Sequence, residues 1–258
     1  MKTNSFKARL KARQQQIGIW SMLASSNVLE VLTQSSYDWV LIDSEHAPND
    51  VPMVLEQLRT VAQSDMPALV RPAVNDTIII KRMLDIGAQT LVIPMVDSAD
   101  DARRAVAAMR YPPLGIRGVS AGTRANRYGR DTDYFAQVNS ETCLVVQIES
   151  AAGLANIEAI AAVDGVDALF VGPSDLAAAL GYLGDNKHPD VQKQIHSARE
   201  RCHAAGKPIG ILMPDAALAA EYVRSGFDFV AITTDITLLR SGAEAALRNL
   251  AESTRQDA

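Results

Sequence analysis

The sequence predicts an α/β protein folded as one (β/α)8 barrel, and three observations carry the prediction. The chain has 258 residues, a length typical of such a barrel and long for one open-sheet domain. Short apolar runs alternate with longer amphipathic stretches, and the runs number eight. They are rich in Val, Ile and Leu without polar alternation, as strands buried on both faces of a parallel sheet are.

In order, the runs are 16–23 (QIGIWSML), 37–43 (YDWVLID), 67–72 (PALVRP), 90–95 (TLVIPM), 143–149 (CLVVQIE), 168–172 (ALFVG), 208–213 (PIGILM) and 228–233 (DFVAIT). Helix start signals stand between them: Asn49-Asp50 before VPMVLEQL, Asn75-Asp76 before TIIIKRML and Asp97-Ser98 before ADDARRAV. Helix ends are marked by Gly87, Gly206 and Gly226, each just ahead of the next run. No sequence repeat and no Pro/Ser-rich linker divides the chain, so residues 1–258 read as a single domain.

Two interruptions break the rhythm. Residues 111–141 are rich in Gly and Arg (YPPLGIRGVSAGTRANRYGRD) and too long for a simple connection; they read as a lid, a substrate wall or a subunit contact, or else as a surface excursion. Residues 181–190 (GYLGDNKHPD) read as a short loop with little chemistry of their own. At the start, residues 1–15 form an N-terminal helix or arm. Their Lys2, Lys7, Arg9, Lys11 and Arg13 resemble a targeting peptide, but no apolar segment of signal-peptide length follows, and a solvated helix is expected.

Composition narrows the function. Hydrophobic residues make up 48% and charged residues 21%, which is material for a sizeable core rather than for disorder. The formal net charge of −5, with no basic patch or run, disfavours nucleic acid and membrane surfaces as partners. No apolar stretch approaches the roughly 20 residues that span a bilayer. Cys143 and Cys202 lie far apart with no metal-ligand spacing, as suits a soluble protein of the reducing cytoplasm.

Barrels of this kind place their chemistry at the carboxyl ends of the strands. The polar residues there are Asp43-Ser44-Glu45-His46, Arg71, Gln147, Glu149, Gly172-Pro173-Ser174-Asp175 and Thr233-Thr234-Asp235. Glu149 ends an apolar run, where a carboxylate is costly unless it meets a cation or water. Asp175 ends the next. Two carboxylates from adjacent strands, with Gln147 nearby, suit a hard cation such as Mg²⁺ or Mn²⁺. Taken alone, Asp175 reads equally as a cap on the helix LAAAL. His46, three residues from Asp43, reads as an imidazole oriented by a carboxylate for proton transfer, or as a bystander of the loop. Arg71 reads as a fork for a carboxylate or a developing enolate oxygen, or as a structural ion pair. Asp85, on the helix after the third run, reads from pattern as an ion-pair residue.

Two absences matter. No Lys lies within the eight runs, since Lys81 falls on a helix and Lys207 precedes its strand, so a Schiff-base mechanism has no candidate and enolate stabilisation shifts to a metal. No Gly-rich fingerprint of the Rossmann or P-loop type occurs, which disfavours a nucleotide cofactor.

At these residues the sequence closely resembles the class II, pyruvate-dependent aldolases of the 4-hydroxy-2-oxoheptanedioate and 2-dehydro-3-deoxyglucarate aldolase family, whose barrels are of the phosphoenolpyruvate/pyruvate type. The motifs are WVLIDSEHAPND, ALVRPAVND, IKRMLDIGAQTLVIPMV, RYPPLGIRGV, VVQIES, VDALFVGPSDLAAALGY and GKPIGIL, between Gly18 and about Leu250. The resemblance implies a divalent metal (Mg²⁺, Mn²⁺ or Co²⁺) held by Glu149 and Asp175, with pyruvate chelated to it. It implies that Arg71 holds the keto or enolate oxygen and that His46, oriented by Asp43, moves the proton. Asp85 would join the proton network across a subunit boundary, and Gln147, Ser174, Asp175 and Leu212 would line the substrate pockets.

The same resemblance implies a homohexamer, a trimer of dimers that exchange the C-terminal helix near Leu238–Leu250, and a place in aromatic or sugar-acid catabolism. One departure is visible: the family commonly has Gly where this chain has Ser44, which adds a hydroxyl near the aldehyde pocket and bears on acceptor specificity. Two rivals stand beside this reading. One is a CoA-ester lyase of the same metal–enolate superfamily, with Arg117, Arg124, Arg127 and Arg130 grasping a nucleotide tail; the other is a non-catalytic metabolite-binding barrel.

Overall fold

The computed structural model describes residues Met1–Gln256, so the last two residues of the expected domain lie outside it. Eight strands, β1 (Gln16–Ser21), β2 (Trp39–Asp43), β3 (Ala68–Arg71), β4 (Thr90–Ile93), β5 (Cys143–Ile148), β6 (Ala168–Val171), β7 (Ile209–Leu212) and β8 (Phe229–Thr234), pair in parallel and in chain order until β8 meets β1. The chain is a (β/α)8 barrel. Each expected run holds one strand, and the expected helix starts are caps: the side chains of Asp50, Asp76 and Ser98 accept from the backbone amides of Met53, of Ile78 and Ile79, and of Asp101. The helix Ala216–Ser225 stops at Gly226, whose φ of 95° lies where a side chain would be strained.

Successive residues of a strand face opposite sides of the sheet, and this parity sorts the apolar runs into two cores. Val40, Ile42, Val70, Leu144, Val146, Ile148, Leu169 and Val171 face the surrounding helices. Trp39, Leu41, Leu69, Cys143, Val145, Ala168 and Phe170 face the interior. Counting on by twos along the interior face reaches Asp43, Arg71, Gln147, Glu149 and Gly172. The rule that fills the barrel with hydrocarbon therefore also aims its polar residues into one mouth.

The opposite end is closed by the segment expected to be a solvated helix, and here the structure differs. Helix Ser5–Lys11 buries Phe6 and Leu10 inside the barrel, where Phe6 meets Trp39 and Phe229 edge-on at centroid distances of 6.0 and 5.3 Å. Lys7 is 8% exposed; its Nζ donates to the Thr142 carbonyl at 2.5 Å and pairs with Asp167 at 3.0 Å. The apolar residues Phe6 and Leu10, four apart on one helical face, were outweighed in the sequence by the surrounding charges.

Asp235 also takes a structural role. Its carboxylate accepts from Ser21 Oγ at 3.0 Å, Met22 N at 2.9 Å and Leu23 N at 3.0 Å, which sews the end of β8 to the end of β1. The 111–141 region contains the short helix Tyr134–Glu141 and a 3-10 turn at Arg124–Asn126. It is anchored away from the mouth. Arg124 donates to the carbonyls of Ile86 and Leu58, at the lower ends of helices Thr77–Asp85 and Val51–Val61, and the buried Arg117 pairs with Asp85 at 2.6 Å. This part is neither a lid over its own site nor a free excursion, and two of the four arginines available for a nucleotide tail are committed elsewhere. Among the described residues no helix is long and apolar enough to cross a membrane.

Truncating Phe6 to Ala should cost about 3 kcal/mol of unfolding free energy, as for other fully buried aromatics, measured by urea denaturation. A loss below about 1 kcal/mol, the scale of a surface change, would mean that the first helix is not part of the barrel floor.

Candidate active site at the carboxyl end of the barrel

The register places Asp43 beside Arg71 on adjacent strands, both pointing inward. Their side chains form a two-pronged bond, Arg71 Nε to Asp43 Oδ1 at 2.8 Å and Nη2 to Oδ2 at 2.7 Å, with Asp43 fully buried and Arg71 6% exposed. Trp20 Nε1 donates to Asp43 Oδ2 at 3.3 Å, and the guanidinium carbon sits 4.9 Å from the Trp20 ring centroid. The remaining nitrogen, Nη1, faces the mouth, 2.7 Å from Glu45 Oε2 and 3.4 Å from Gln147 Oε1. Burial works to raise the Asp43 carboxyl, but the hydrogen bonds and charge of Arg71, with smaller help from the Glu45 amide and Trp20, hold it below its ordinary value.

Glu149 stands across Gln147 from this cluster. Gln147 Nε2 donates to Glu149 Oε2 at 3.0 Å, and Met95 N donates to Oε1 at 2.6 Å. Met95 adopts φ 51°, the left-handed region, to present that amide. Gly172 leaves the space the carboxylate needs, because a Cβ there would lie 2.4 Å from Glu149 Oε2. Burial, followed by the charges of Glu45 and Asp175, pushes the Glu149 carboxyl up to about 7 against the Met95 amide and Arg71. Glu45 is also raised, by burial first.

Asp175 lies in the first turn of helix Pro173–Ala179, whose N-cap is Gly172, so Asp175 is not the cap. It is exposed with Ser174 at the rim, while Leu212, at the end of β7, packs on the interior cluster. His46 is exposed, and the expected Asp43–His46 pair is replaced: both Asp43 oxygens are taken by Arg71, and the carboxylate near the imidazole is Glu45, whose Oε2 is 3.8 Å from Nε2. Asp85 closes helix Thr77–Asp85, which descends from the mouth, so within its own chain it lies at the other end, paired with Arg117. The pattern reading of Asp85 as an ion-pair residue describes what is seen in this chain. Ser44 Oγ donates to the Arg71 carbonyl at 2.7 Å and is buried, so the hydroxyl is not directed at an open aldehyde pocket.

Two contributors escaped sequence reasoning, Trp20 and Met95, and Glu45 was named at its strand end without a role. Glu45 and Trp20 were within reach. Glu45 adjoins His46, and strand parity from the inward Gly18 puts Trp20 inside. No sequence signal marked the backbone amide of Met95.

The chain as a whole has counterparts in known proteins. The profile of the HpcH/HpaI aldolase/citrate lyase family matches residues 16–242. A 4-hydroxy-2-oxo-heptane-1,7-dioate aldolase of Salmonella dublin is 51% identical over 243 residues, covering 94% of this chain and 92% of that protein. Among solved structures, a HpcH/HpaI aldolase/citrate lyase family protein from Burkholderia cenocepacia J2315 superposes with a TM-score of 0.94 at 40% identity, covering 96% of this chain and 100% of that one. A HpcH/HpaI aldolase from Desulfitobacterium hafniense DCB-2 gives 0.84 at 27% identity, covering 95% and 96%. With its fold and nearly its whole length accounted for in this way, the chain belongs to the HpcH/HpaI aldolase/citrate lyase family.

Proposed function

We propose that this chain is a divalent-metal-dependent, class II aldolase that reversibly cleaves 4-hydroxy-2-oxo acids to pyruvate and an aldehyde, with 4-hydroxy-2-oxoheptanedioate the first substrate to test. One observation carries the metal reading: Glu149 is 3% exposed and pushed up to about 7 beside two further carboxylates, Glu45 and Asp175, an excess of negative charge that a cation would relieve. Among the described residues no group of three or more His, Cys, Asp and Glu is arranged as a metal cage. Glu149 and Asp175 would therefore supply two ligands to Mg²⁺, Mn²⁺ or Co²⁺, and the 2-oxo acid and water the rest, as suits a site that must admit substrate. A cation bound there supplies Lewis-acid charge that polarises the keto group.

The protein groups divide the remaining work. Arg71 Nη1 faces the mouth and would take the keto oxygen, while Asp43 and Trp20 hold the fork still. In cleavage, a base removes the proton of the C4 hydroxyl, the C3–C4 bond breaks, and its electron pair stays with the pyruvate fragment as an enolate, which is then protonated at C3. His46 is the exposed imidazole for that proton, with Glu45 at 3.8 Å as the carboxylate beside it. Gln147 ties Arg71 to Glu149, and Ser174, Asp175 and Leu212 line the mouth. Arg117 and Arg124 are occupied, which disfavours the CoA-ester reading.

The assembly belongs to the same proposal. Helix Asp235–Gln256 exposes Leu238, Leu239, Leu247 and Leu250, and the 111–141 region exposes Leu114, Ile116 and Val119. Burial of these against other copies, in a homohexamer that exchanges the C-terminal helix, would bring one copy's Asp85 toward another's mouth. The buried, unpaired Cys143 and Cys202 suit the cytoplasm.

Metal-stripped protein should release no pyruvate from 4-hydroxy-2-oxo acids, Mn²⁺ should restore release, and Glu149→Gln should lower it at least about a hundredfold; release that survives chelation would sink the metal reading. A Leu239→Glu, Leu247→Glu variant should fall to a smaller species by light scattering, and an unchanged mass would exclude this helix from the interface. Stability without metal should also depend on pH. Because the Glu149 carboxyl is raised from 4.5 to about 7 by folding, the folded state holds its proton longer. Its contribution is harmless below pH 4.5, erodes stability as pH climbs toward 7, and is fully unfavourable above, by about 3 kcal/mol. Glu149→Gln should flatten that slope in thermal melts, and Mn²⁺ at pH 8 should raise the melting temperature of the wild type but not of the variant.

A further inference from the structure

Residues 43 to 45 all engage Arg71, each at a different point. Asp43 holds the guanidinium fork and Glu45 faces Nη1. Ser44 grips the other end of the residue: its backbone N–H and its Oγ both donate to the Arg71 carbonyl, at 2.9 and 2.7 Å. The Asp43–Arg71 pair is the last in the β2–β3 register, so Ser44 sits where the ladder has run out and the chain bends. One main-chain bond continues the pairing there, and the hydroxyl adds a second on the same acceptor. The bend beyond it, which carries Glu45 and His46, is otherwise tied back by Glu45 N to Asp43 Oδ1 at 3.0 Å and by Asn49 Nδ2 to the Asp43 carbonyl at 2.6 Å. Both of these return to β2. Ser44 ties the bend to the main chain of β3, beside the side-chain ion pair of Glu45 with Arg71 Nη1.

We propose that Ser44 is a positioning residue, whose buried hydroxyl pins the Glu45-His46 bend to the Arg71 backbone and so sets where the Arg71 guanidinium meets the substrate oxygen. With only 6% of the residue exposed, its effect on catalysis runs through Arg71 rather than through contact with the aldehyde. A hydrogen bond of about 1 kcal/mol corresponds to a several-fold change in a rate when its geometry is used in the transition state. The catalytic part of this role rests on the aldolase reading above.

The test compares wild type, Ser44→Ala, Ser44→Gly, Arg71→Lys and the Ser44→Ala, Arg71→Lys double variant, each as full-length Mn²⁺-loaded protein, for pyruvate release from a 4-hydroxy-2-oxo acid. Ser44→Ala should lower kcat by about fivefold with KM changed by less than about threefold, because the lost contact acts on oxygen charge that develops in the transition state. In the Arg71→Lys background the same substitution should cost less than about twofold, the non-additivity of two residues acting as one unit. Ser44→Gly should match Ser44→Ala. An equal loss in both backgrounds, an unchanged kcat, or a loss confined to the Gly variant would each overturn the proposal.

Indole emission supplies a readout independent of turnover. Trp20 lies under the Arg71 guanidinium, while the second tryptophan, Trp39, packs with Phe6 and Phe229 at the barrel floor. Ser44→Ala should shift the emission of the unliganded protein without moving its melting temperature by more than about 5 °C, a small stability change for a chain of this size. If the wild type released no pyruvate, the aldolase reading would fail, and the emission would still decide the clamp: a shift upholds it, and an unchanged spectrum removes it.

Discussion

The active end of this barrel is organised by one buried fork, Arg71 on Asp43. A guanidinium this deep is held only if its nitrogens are met, and the adjacent strands meet them at a register that could not slip by one residue without turning one of the two side chains outward. The consequences spread from that pair. Trp20 packs against its face, Gln147 and Glu45 meet the nitrogen left over, and Ser44 holds its carbonyl. Removing either partner would leave a buried charge uncompensated, a far larger penalty than the modest net value of the pair itself.

Around the fork the charges do not balance. Asp43, Glu45 and Glu149 act on a single arginine, Asp43 alone satisfies two of its nitrogens, and Asp175 adds a further negative charge beside Glu45 and Glu149. Burial first, with the neighbouring carboxylates adding to it, raises the proton affinity of Glu45 and Glu149, whereas Asp43, fully paired, is held low. Electrostatic frustration of this kind is expensive for folding and useful for binding, because a cation or a polarised keto group finds its counter-charges already oriented. The strained φ of Met95 and the missing side chain at Gly172 belong to the same arrangement: each bends a local preference to hold the Glu149 carboxylate in its place.

The barrel was legible because its signals are repetitive. Eight apolar runs and capped helices each carry their own physics, and an error at one leaves the others standing. The mouth was legible in its membership for Asp43, Arg71, Gln147, Glu149 and Asp175, since position at a strand end and inward parity are both properties of local sequence. What could not be read was who touches whom. Asp43 and His46 are three apart and invite pairing, but the neighbour across the sheet outcompetes the neighbour along the chain, because a register partner is held at hydrogen-bonding distance and a loop histidine is not. The same holds for Ser44, whose hydroxyl turned to the β3 backbone, and for Lys7, whose charge suggested solvent until a carbonyl and a carboxylate from distant segments met it.

That last contact bears on how the chain is made. The partners of Lys7, Thr142 and Asp167, follow it 135 and 160 positions later in the chain. Until the later strands are in place, Phe229 of β8 among them, Phe6 and Leu10 have no barrel to enter, and their apolar helix face stays uncovered. The floor is sealed late although its plug precedes every strand. Contacts of such sequence separation slow folding, and they tie the ends of the process together: a nascent chain halted before β6 has strands to pair but nothing with which to close.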